Sequence, residues 1–280
     1  MLIAVIYMLA FGVAYLSFVW IPIENLIARV IVADLMATVV IFIASTLFKN
    51  SSIYDPYWSV APMIMILVFI DSLNTLNVFV VLAIWTWGLR LTLNWVYTFK
   101  SLHHQDWRYD HYKTQSGSWW PLVNFFGIHL MPTIVVITVM IPAFLAVQSG
   151  QEATPLTFVG FLIALVAVVI QYRADHQMHQ HQKQQQRHTL KDGLWRLSRH
   201  PNYFAEILFW FAIFIMMMSV YPLWLAMLGP LINLTMFVII SIPLMEKRQK
   251  ARKSDYASYQ ESTSMLIPWP PKQAQKTREA

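Results

Sequence analysis

The densest chemistry in the chain lies in residues 194–206. Arg196, Arg199 and His200 come just before Pro201, and Asn202, Tyr203 and Glu206 follow it. A proline keeps the residue before it extended and suits the first turn of a helix, so a helix should open at Pro201. Two guanidinium groups and an imidazole beside free helix N–H groups attract an anion. At a membrane face that combination suits a phosphate-bearing cofactor meeting a lipid-soluble substrate.

Other stretches carry polar groups in similar positions. Residues 171–188 continue an apolar run without a breaker, so a helix should protrude from the membrane with Asp175, His179, Gln182 and Gln186 on one face. That face can hydrogen-bond a polar cofactor; a solvated helix end has the same composition. His176, His179 and His181 are spaced irregularly and interleaved with Gln, unlike the adjacent His pairs of two-iron lipid hydroxylases, so no metal is expected. In 102–111, Arg108 sits between Trp107 and Tyr109. Such a guanidinium can clamp a phosphate while the rings stack on a base, or the rings can anchor at the interface. Asp55 is a lone carboxylate among Tyr54, Tyr57 and Trp58, followed by Pro56. It reads as a helix cap and equally as an acid facing a cavity. Asp34, Asn94, Asn124 and Asn233 lie in or near apolar segments, where Asn most often bonds a neighbouring helix. The basic run 246–253 suits contact with anionic lipid. Tyr256, Tyr259 and the ending at 265–269 go beyond that need and suggest a tail folded back onto the site.

The elements that must position these groups are membrane helices. The 280 residues are 57% hydrophobic and 12% charged, against about 25% charged in a soluble domain. The apolar runs are continuous and do not alternate, which excludes a barrel. No cysteine is present, so thiol catalysis, disulfides and Cys-ligated metals are excluded. The apolar segments fall roughly at 2–20, 27–48, 57–71, 76–98, 121–147, 155–173, 203–219 and 222–244, against about 20 residues for one crossing. The third is short. The first has no basic leader and reads as a retained helix. The fold class is therefore all-α: a polytopic helical bundle with seven to eight transmembrane segments and no soluble domain.

The connections near 21–25, 71–74, 148–152 and 219–222 hold no Lys or Arg, whereas Lys49, Lys100, Arg108, Lys113, Lys183, Arg187, Lys191, Arg196 and Arg199 fall on the other face. The positive-inside rule makes that face and both termini cytoplasmic, with a bacterial inner membrane as the expected location. Three segments on that face, 99–120, 174–202 and 245–280, are longer than connections of about 4–6 residues require, and length of that kind usually serves function.

Taken together, the polar helix with Asp175, the 199–206 stretch, Glu246 with Arg248, then Tyr256, Tyr259 and 266–269 resemble the steroid 5-alpha-reductase family, in a bacterial-type form. The likeness is fullest from Gln171 to Trp269 and weaker in 99–120. The Arg-His-Pro-x-Tyr piece alone also resembles membrane methyltransferases of isoprenylcysteine and phospholipid head groups. The reductase resemblance implies NADPH as cofactor. Asn202 and Glu206 would hold its nicotinamide end. Asp175, Arg199, Tyr203, Arg248 and Tyr259 would lie along sugar and phosphates, with Arg108 also on a phosphate. Tyr109, His179, His200 and Tyr256 complete the cofactor candidates. Helices in 1–98 would form the lipid-side pocket, with Trp58, Trp87 and Asn94 toward the substrate, and 99–280 would form the cofactor-binding part. Two features differ from the family: Ala205 stands where many members carry Gly, and no Gln-Glu pair occurs near 57–60.

The chemistry implied is hydride transfer to the β-carbon of a membrane-soluble enone, most simply a 3-oxo-4-ene steroid, with charge building on the carbonyl oxygen. Asp55 in protonated form, Tyr54 and Tyr57 are the candidate proton donors. No Gly-x-Gly-x-x-Gly follows a strand, so a dinucleotide must bind between helix ends. The rival is an S-adenosylmethionine-dependent methyltransferase; Arg108, Arg199 and Arg248 together favour the phosphorylated dinucleotide. No nucleic-acid partner is expected, the lipid bilayer is the surrounding partner, and a monomer is compatible with all of this.

Overall fold

The computed structural model describes residues 2–71, 73–184 and 188–272. Gln186, Arg187 and the 276–280 end lie outside the described residues. Among those described, every regular element is helical, and eight helical runs are long and apolar enough to cross a membrane.

Helices α1 (Leu2–Trp20) and α2 (Leu26–Leu47) form a hairpin, with the Asn25 side chain accepting from Ala28 N at 2.9 Å to start α2. Arg29 lies at this end of the bundle, its Nε donating to Ile23 O at 2.7 Å with its guanidinium over Phe18.

The third of these candidate spans begins earlier than its apolar run. A short 3-10 turn at Ser51–Ile53 leads into α3 (Tyr57–Met65) and a second turn at Ile66–Phe69, giving 19 residues from Ser51 to Phe69. Asn50 makes this possible by capping Ser52 N at 2.9 Å while its amide donates to Leu102 O at 2.6 Å. Asp55 does not cap α3. Pro56 occupies the cap position without a side-chain bond, and the Asp55 carboxylate turns instead to Tyr109 and Arg108.

Helix α4 (Thr75–Thr98) starts on an Asn74 cap. The long 99–120 connection carries its own helix, α5 (Trp107–Ser116), capped by Asp106. After α6 (Trp120–Leu122), a π-helical stretch at Val123–Leu130 feeds α7 (Met131–Gln148). The widened turn aims His129 inward, where Nε2 meets Ser45 Oγ at 2.9 Å. Helix α8 (Pro155–Lys183) starts on a Thr154–Thr157 capping box and continues unbroken past the apolar run. After the short α9 (Leu194–Leu197), α10 (Pro201–Met218) opens with Pro201 in its first turn, as expected. Then come α11 (Leu228–Met236), a π-helical turn at Phe237–Ser241, α12 (Ile242–Arg252) and α13 (Tyr256–Ser262).

One hydrophobic core runs from Ile6 to Ala226, with Phe69 stacked on Phe144 and Trp87 on Phe209. The tail does fold back. Arg199 N donates to Ser264 O and Trp269 N to Leu197 O, each at 2.9 Å, and Ser198 Oγ donates to Leu266 O at 2.7 Å. Asp255 accepts from Thr189 Oγ1 at 2.8 Å and pairs with Lys191 at 3.1 Å. Burial opposes ionisation there, but the Thr189 and Lys191 donors win and hold the carboxyl at about 2.

Candidate functional site

A cavity of about 550 Å³ opens between α3, α4, α8, α10 and the π-helical turn that precedes α12. That volume lies within the range of about 300–1,000 Å³ usual for small-molecule sites. Its floor is polar, its middle apolar and its mouth charged.

The floor is built by helical periodicity. On α8, Gln171, Asp175 and His179 are four residues apart and face α4. Arg90 of α4 donates Nη2 to Gln171 Oε1 at 2.6 Å and Nη1 to Asp175 Oδ2 at 2.9 Å. One turn along, His179 Nε2 meets Asn94 Oδ1 at 2.8 Å. Gln171 Nε2 passes the network to Glu206 Oε2 at 2.7 Å. Trp87 Nε1 donates to both Glu206 oxygens and Trp210 Nε1 to Oε1 at 2.8 Å. A buried carboxylate with three N–H donors is a fixed acceptor, since each donor offsets part of its lost hydration. Asn202, at the start of α10, is held loosely: its amide reaches Asp175 only at 3.5 Å.

The wall around this floor is apolar, with Leu91, Trp95, Ile128, Met131 and Phe237 among its members, and Trp58 and Tyr203 add aromatic faces. Toward the mouth, Tyr109 donates its hydroxyl to Asp55 Oδ1, and Arg108 Nη2 approaches the same oxygen at 4.0 Å. Arg108 is fixed from the other side by Asp106 at 2.8 Å. Burial works against the Asp106 charge, but the Arg108 guanidinium wins and holds the carboxyl below its usual range. Lys100 and His104 complete the mouth.

The structure thus brings Tyr54, Asp55, Trp58, Asn94, Arg108, Tyr109, Asp175, Asn202, Tyr203 and Glu206 to one cavity. The other candidates lie elsewhere. Tyr57 points into α2, donating to Asp34 Oδ1 at 2.5 Å, and sits among Tyr7, Phe11 and Tyr54. Trp87 is fully buried behind Glu206. His179 backs Asn94. Arg199 is occupied by Glu246 at 2.7 Å and by the carbonyls of Gln260 and Thr263. His200 also bonds Glu246, at 3.3 Å. Tyr259 donates to Trp195 O and packs edge-on against Tyr256. Arg199, His200 and Tyr259 clasp the tail to the 194–200 segment, so the Arg199 guanidinium and His200 imidazole anticipated as an anion site are taken up by structure, and of that group only the exposed Arg196 is left.

Arg248 lies over the Trp107 ring, 3.7 Å from its centroid, in a second cavity of about 470 Å³ that also holds Lys49, His103 and Lys113. The two cavities share His104 and Asp106. Arg248 Nη1 is buried there without a partner. His176, His179 and His181 go to separate partners: Gln180, Asn94 and the His188 carbonyl.

Arg90 and Gln171 on the floor, and Trp210 buried behind Glu206, are the residues that sequence reasoning missed. The signal for Arg90 was present: it is a lone cation well inside an apolar helix, one turn from Asn94. A charge tally restricted to the connections passes over it.

The family model described as "Protein of unknown function (DUF1295)" matches residues 41–263, which takes in every cavity residue named above. No curated protein and no solved structure matches the chain.

Proposed function

The chain belongs to the DUF1295 family, and from its cavity we propose that it is a membrane-embedded oxidoreductase using NADPH to reduce the carbon–carbon double bond of a lipid-soluble enone. A 3-oxo-4-ene steroid is the first substrate to test. The observation that carries this reading is one cavity that joins a cationic mouth to a fixed carboxylate floor through an apolar wall.

The residues present suit that cofactor. The orphaned Arg248 Nη1, with Lys49 and Lys113 beside it, is a donor set for a phosphate. Asp106 does not cancel it, because Arg108 already pairs with it, and the Asp110 carboxylate, bonded to the neutral Gln105, is one charge against three cations. Lys100 and Arg108 suit the diphosphate at the shared mouth. On the floor, Asn202 offers a loosely held amide and Glu206 an acceptor for a carboxamide N–H. When bound, the reduced nicotinamide supplies the hydride. Trp87, Trp210 and Gln171 keep Glu206 from turning away. Arg90 holds Gln171 and Asp175 in register. The apolar wall excludes water and receives the hydrocarbon body of the substrate. Tyr54 and the Asp55–Tyr109 pair stand at the wall as holders of the proton that the reduced substrate takes up. The basic end of the bundle, with this mouth, we assign to the cytoplasmic side of a bacterial inner membrane.

Thermal unfolding of the detergent-solubilised protein with NADPH or S-adenosylmethionine tests the cofactor. NADPH should raise the melting temperature; a shift with the methyl donor alone reverses the assignment to a methyltransferase. Turnover of progesterone-like enones should give products two hydrogens heavier by mass spectrometry. Glu206→Ala and Asn202→Ala should weaken cofactor binding while the protein still inserts, and undiminished NADPH oxidation in both removes the nicotinamide assignment.

A further inference from the structure

Asp34 lies well inside α2, buried, and outside the cavity just described. Its Oδ1 accepts the Tyr57 hydroxyl at 2.5 Å, and its Oδ2 is buried without a partner. Among the described residues no Lys, Arg or His pairs with it. One turn further along α2, the Thr38 hydroxyl shares the Asp34 carbonyl with that of Tyr57, at 2.9 Å and 3.3 Å, and lies 3.0 Å from Thr133 Oγ1. Thr133 Oγ1 is in turn 2.7 Å from the Tyr54 hydroxyl, and Tyr54 is part of the cavity wall. Five buried groups are therefore linked, Asp34 with Tyr57 on one side and Thr38, Thr133 and Tyr54 on the other, the two parts meeting where Tyr57 and Thr38 share the Asp34 carbonyl.

Each threonine has two places to put its proton. Thr38 can donate to Asp34 O at 2.9 Å or toward Thr133, and Thr133 to His129 O at 2.9 Å or along the line. A hydroxyl with two acceptors can take a proton on one side, release one on the other and turn back. The carboxyl at the inner end is more than helix pinning needs. An amide oxygen would accept the Tyr57 hydroxyl equally well, whereas a carboxyl can also hold an exchangeable proton.

We propose that this line is a proton path between Asp34 and the cavity, with Asp34 as the proton store and Tyr54 as the delivering group. For the purpose of that proton the inference rests on the reductase reading above. Hydride from the reduced nicotinamide brings two electrons and one hydrogen to the β-carbon, leaving an enolate. The Tyr54 hydroxyl gives its proton to the α-carbon. Thr133 reprotonates the Tyr54 oxygen, and the vacancy passes through Thr38 and Tyr57 to Asp34, which ends as carboxylate until it is reprotonated.

Infrared spectroscopy of the full chain in lipid nanodiscs, moved from H₂O to D₂O, tests the path without requiring turnover. A protonated-carboxyl band should be lost in Asp34→Asn. Its deuterium exchange should slow about tenfold or more in Thr133→Val, in line with the contribution of a positioned proton-transfer group, and recover in Thr133→Ser. A band that persists in Asp34→Asn, or exchange at the wild-type rate in Thr133→Val, overturns the proposal. Should Asp34→Asn fail to fold, the Val and Ser pair at Thr133 still decides. In turnover, Thr133→Val should lower kcat and enlarge the solvent isotope effect with the KM for NADPH unchanged, an effect that a merely structural hydroxyl would not produce. A wild-type protein that reduces no enone sinks the reductase reading, while the exchange rates still decide the path.

Discussion

Arg90 of α4 and Asp175 of α8 form an ion pair at 2.9 Å inside the helix bundle, both side chains mostly buried. Removing two charges from water is costly, and the pair is tolerated because Gln171 accepts a second bond from the same guanidinium. Its neighbours Glu206 and Asn202 then inherit their positions from it.

This pairing predicts an asymmetric mutational response. Arg90→Met leaves the Asp175 carboxylate uncompensated and should cost about 3–5 kcal/mol. The double variant Arg90→Met/Asp175→Leu should recover much of that loss, because an apolar pair of similar volume needs no desolvated charge. Thermal unfolding in detergent reads both. Equal stability of wild type and Arg90→Met would show the pair to be incidental.

Glu206 predicts a second outcome. Glu206→Gln keeps the size of the side chain but replaces one acceptor oxygen with an N–H₂ facing the Trp87, Trp210 and Gln171 donors. Hydrogen bonds to a charged group contribute about 1.5–3 kcal/mol each, so at least one such loss should appear in the melting temperature. The indole environment should change with it, and tryptophan fluorescence is the check: an unchanged spectrum would mean that the three donors are not held by this carboxylate.

The helices and the fold-back of the tail were open to sequence reasoning, because long apolar runs, Asn and Thr caps and Pro201 act locally. The geometry of the site was less so. Arg199 and His200 had the composition of an anion site, but composition does not reveal that Glu246, 46 positions from His200, would claim both of them. Asp55 sat where a cap belongs, and only the placement of α5 beside the turn that precedes α3 shows Tyr109 taking its carboxylate. Tyr57 is a candidate through its nearness to Asp55 and Trp87 through the family resemblance, yet a one-residue change of helical phase decides whether a ring meets the cavity or the core. Arg90 becomes intelligible only once α8 supplies its partners.

His200 predicts a pH dependence. Burial pushes its imidazole below the ordinary value, and the bond to Glu246 restores only part of the shift. The neutral ring is therefore the native form. The unfolded chain takes up that proton at about 6.5, so between there and the lower folded value the unfolded state binds more protons. Stability rises with pH through this window and falls as pH is lowered from about 6.5. The melting temperature of wild type should follow this slope, and His200→Gln should flatten it; parallel profiles would remove His200 as the source.

Gly229 predicts a packing defect. A Cβ there would stand 2.1 Å from Thr138 O and 3.0 Å from Val139 Cα, both backbone atoms of α7. Backbone cannot turn aside as a side chain does, so Gly229→Ala should push α11 away from α7 and cost about 1–3 kcal/mol or more. Gly12→Ala is the control, since nothing lies within 4 Å of a Cβ at that position. Equal melting temperatures for the two variants would mean that α7 and α11 do not approach so closely.

Arg248 offers the sharpest test of the cofactor. Its guanidinium is braced on the Trp107 ring, yet Nη1 has no partner in a cavity that also holds Lys49 and Lys113. A donor desolvated in this way gains most from an anion that reaches it. NADPH differs from NADH by one phosphate, so Arg248→Ala should raise the KM for NADPH while leaving that for NADH nearly unchanged. A lost charged hydrogen bond of about 1.5–3 kcal/mol corresponds to roughly ten- to a hundredfold. Steady-state kinetics with the two cofactors separate the outcomes: an equal rise for both would show that Arg248 supports the shared part of the dinucleotide, or the fold around Trp107, and not the additional phosphate.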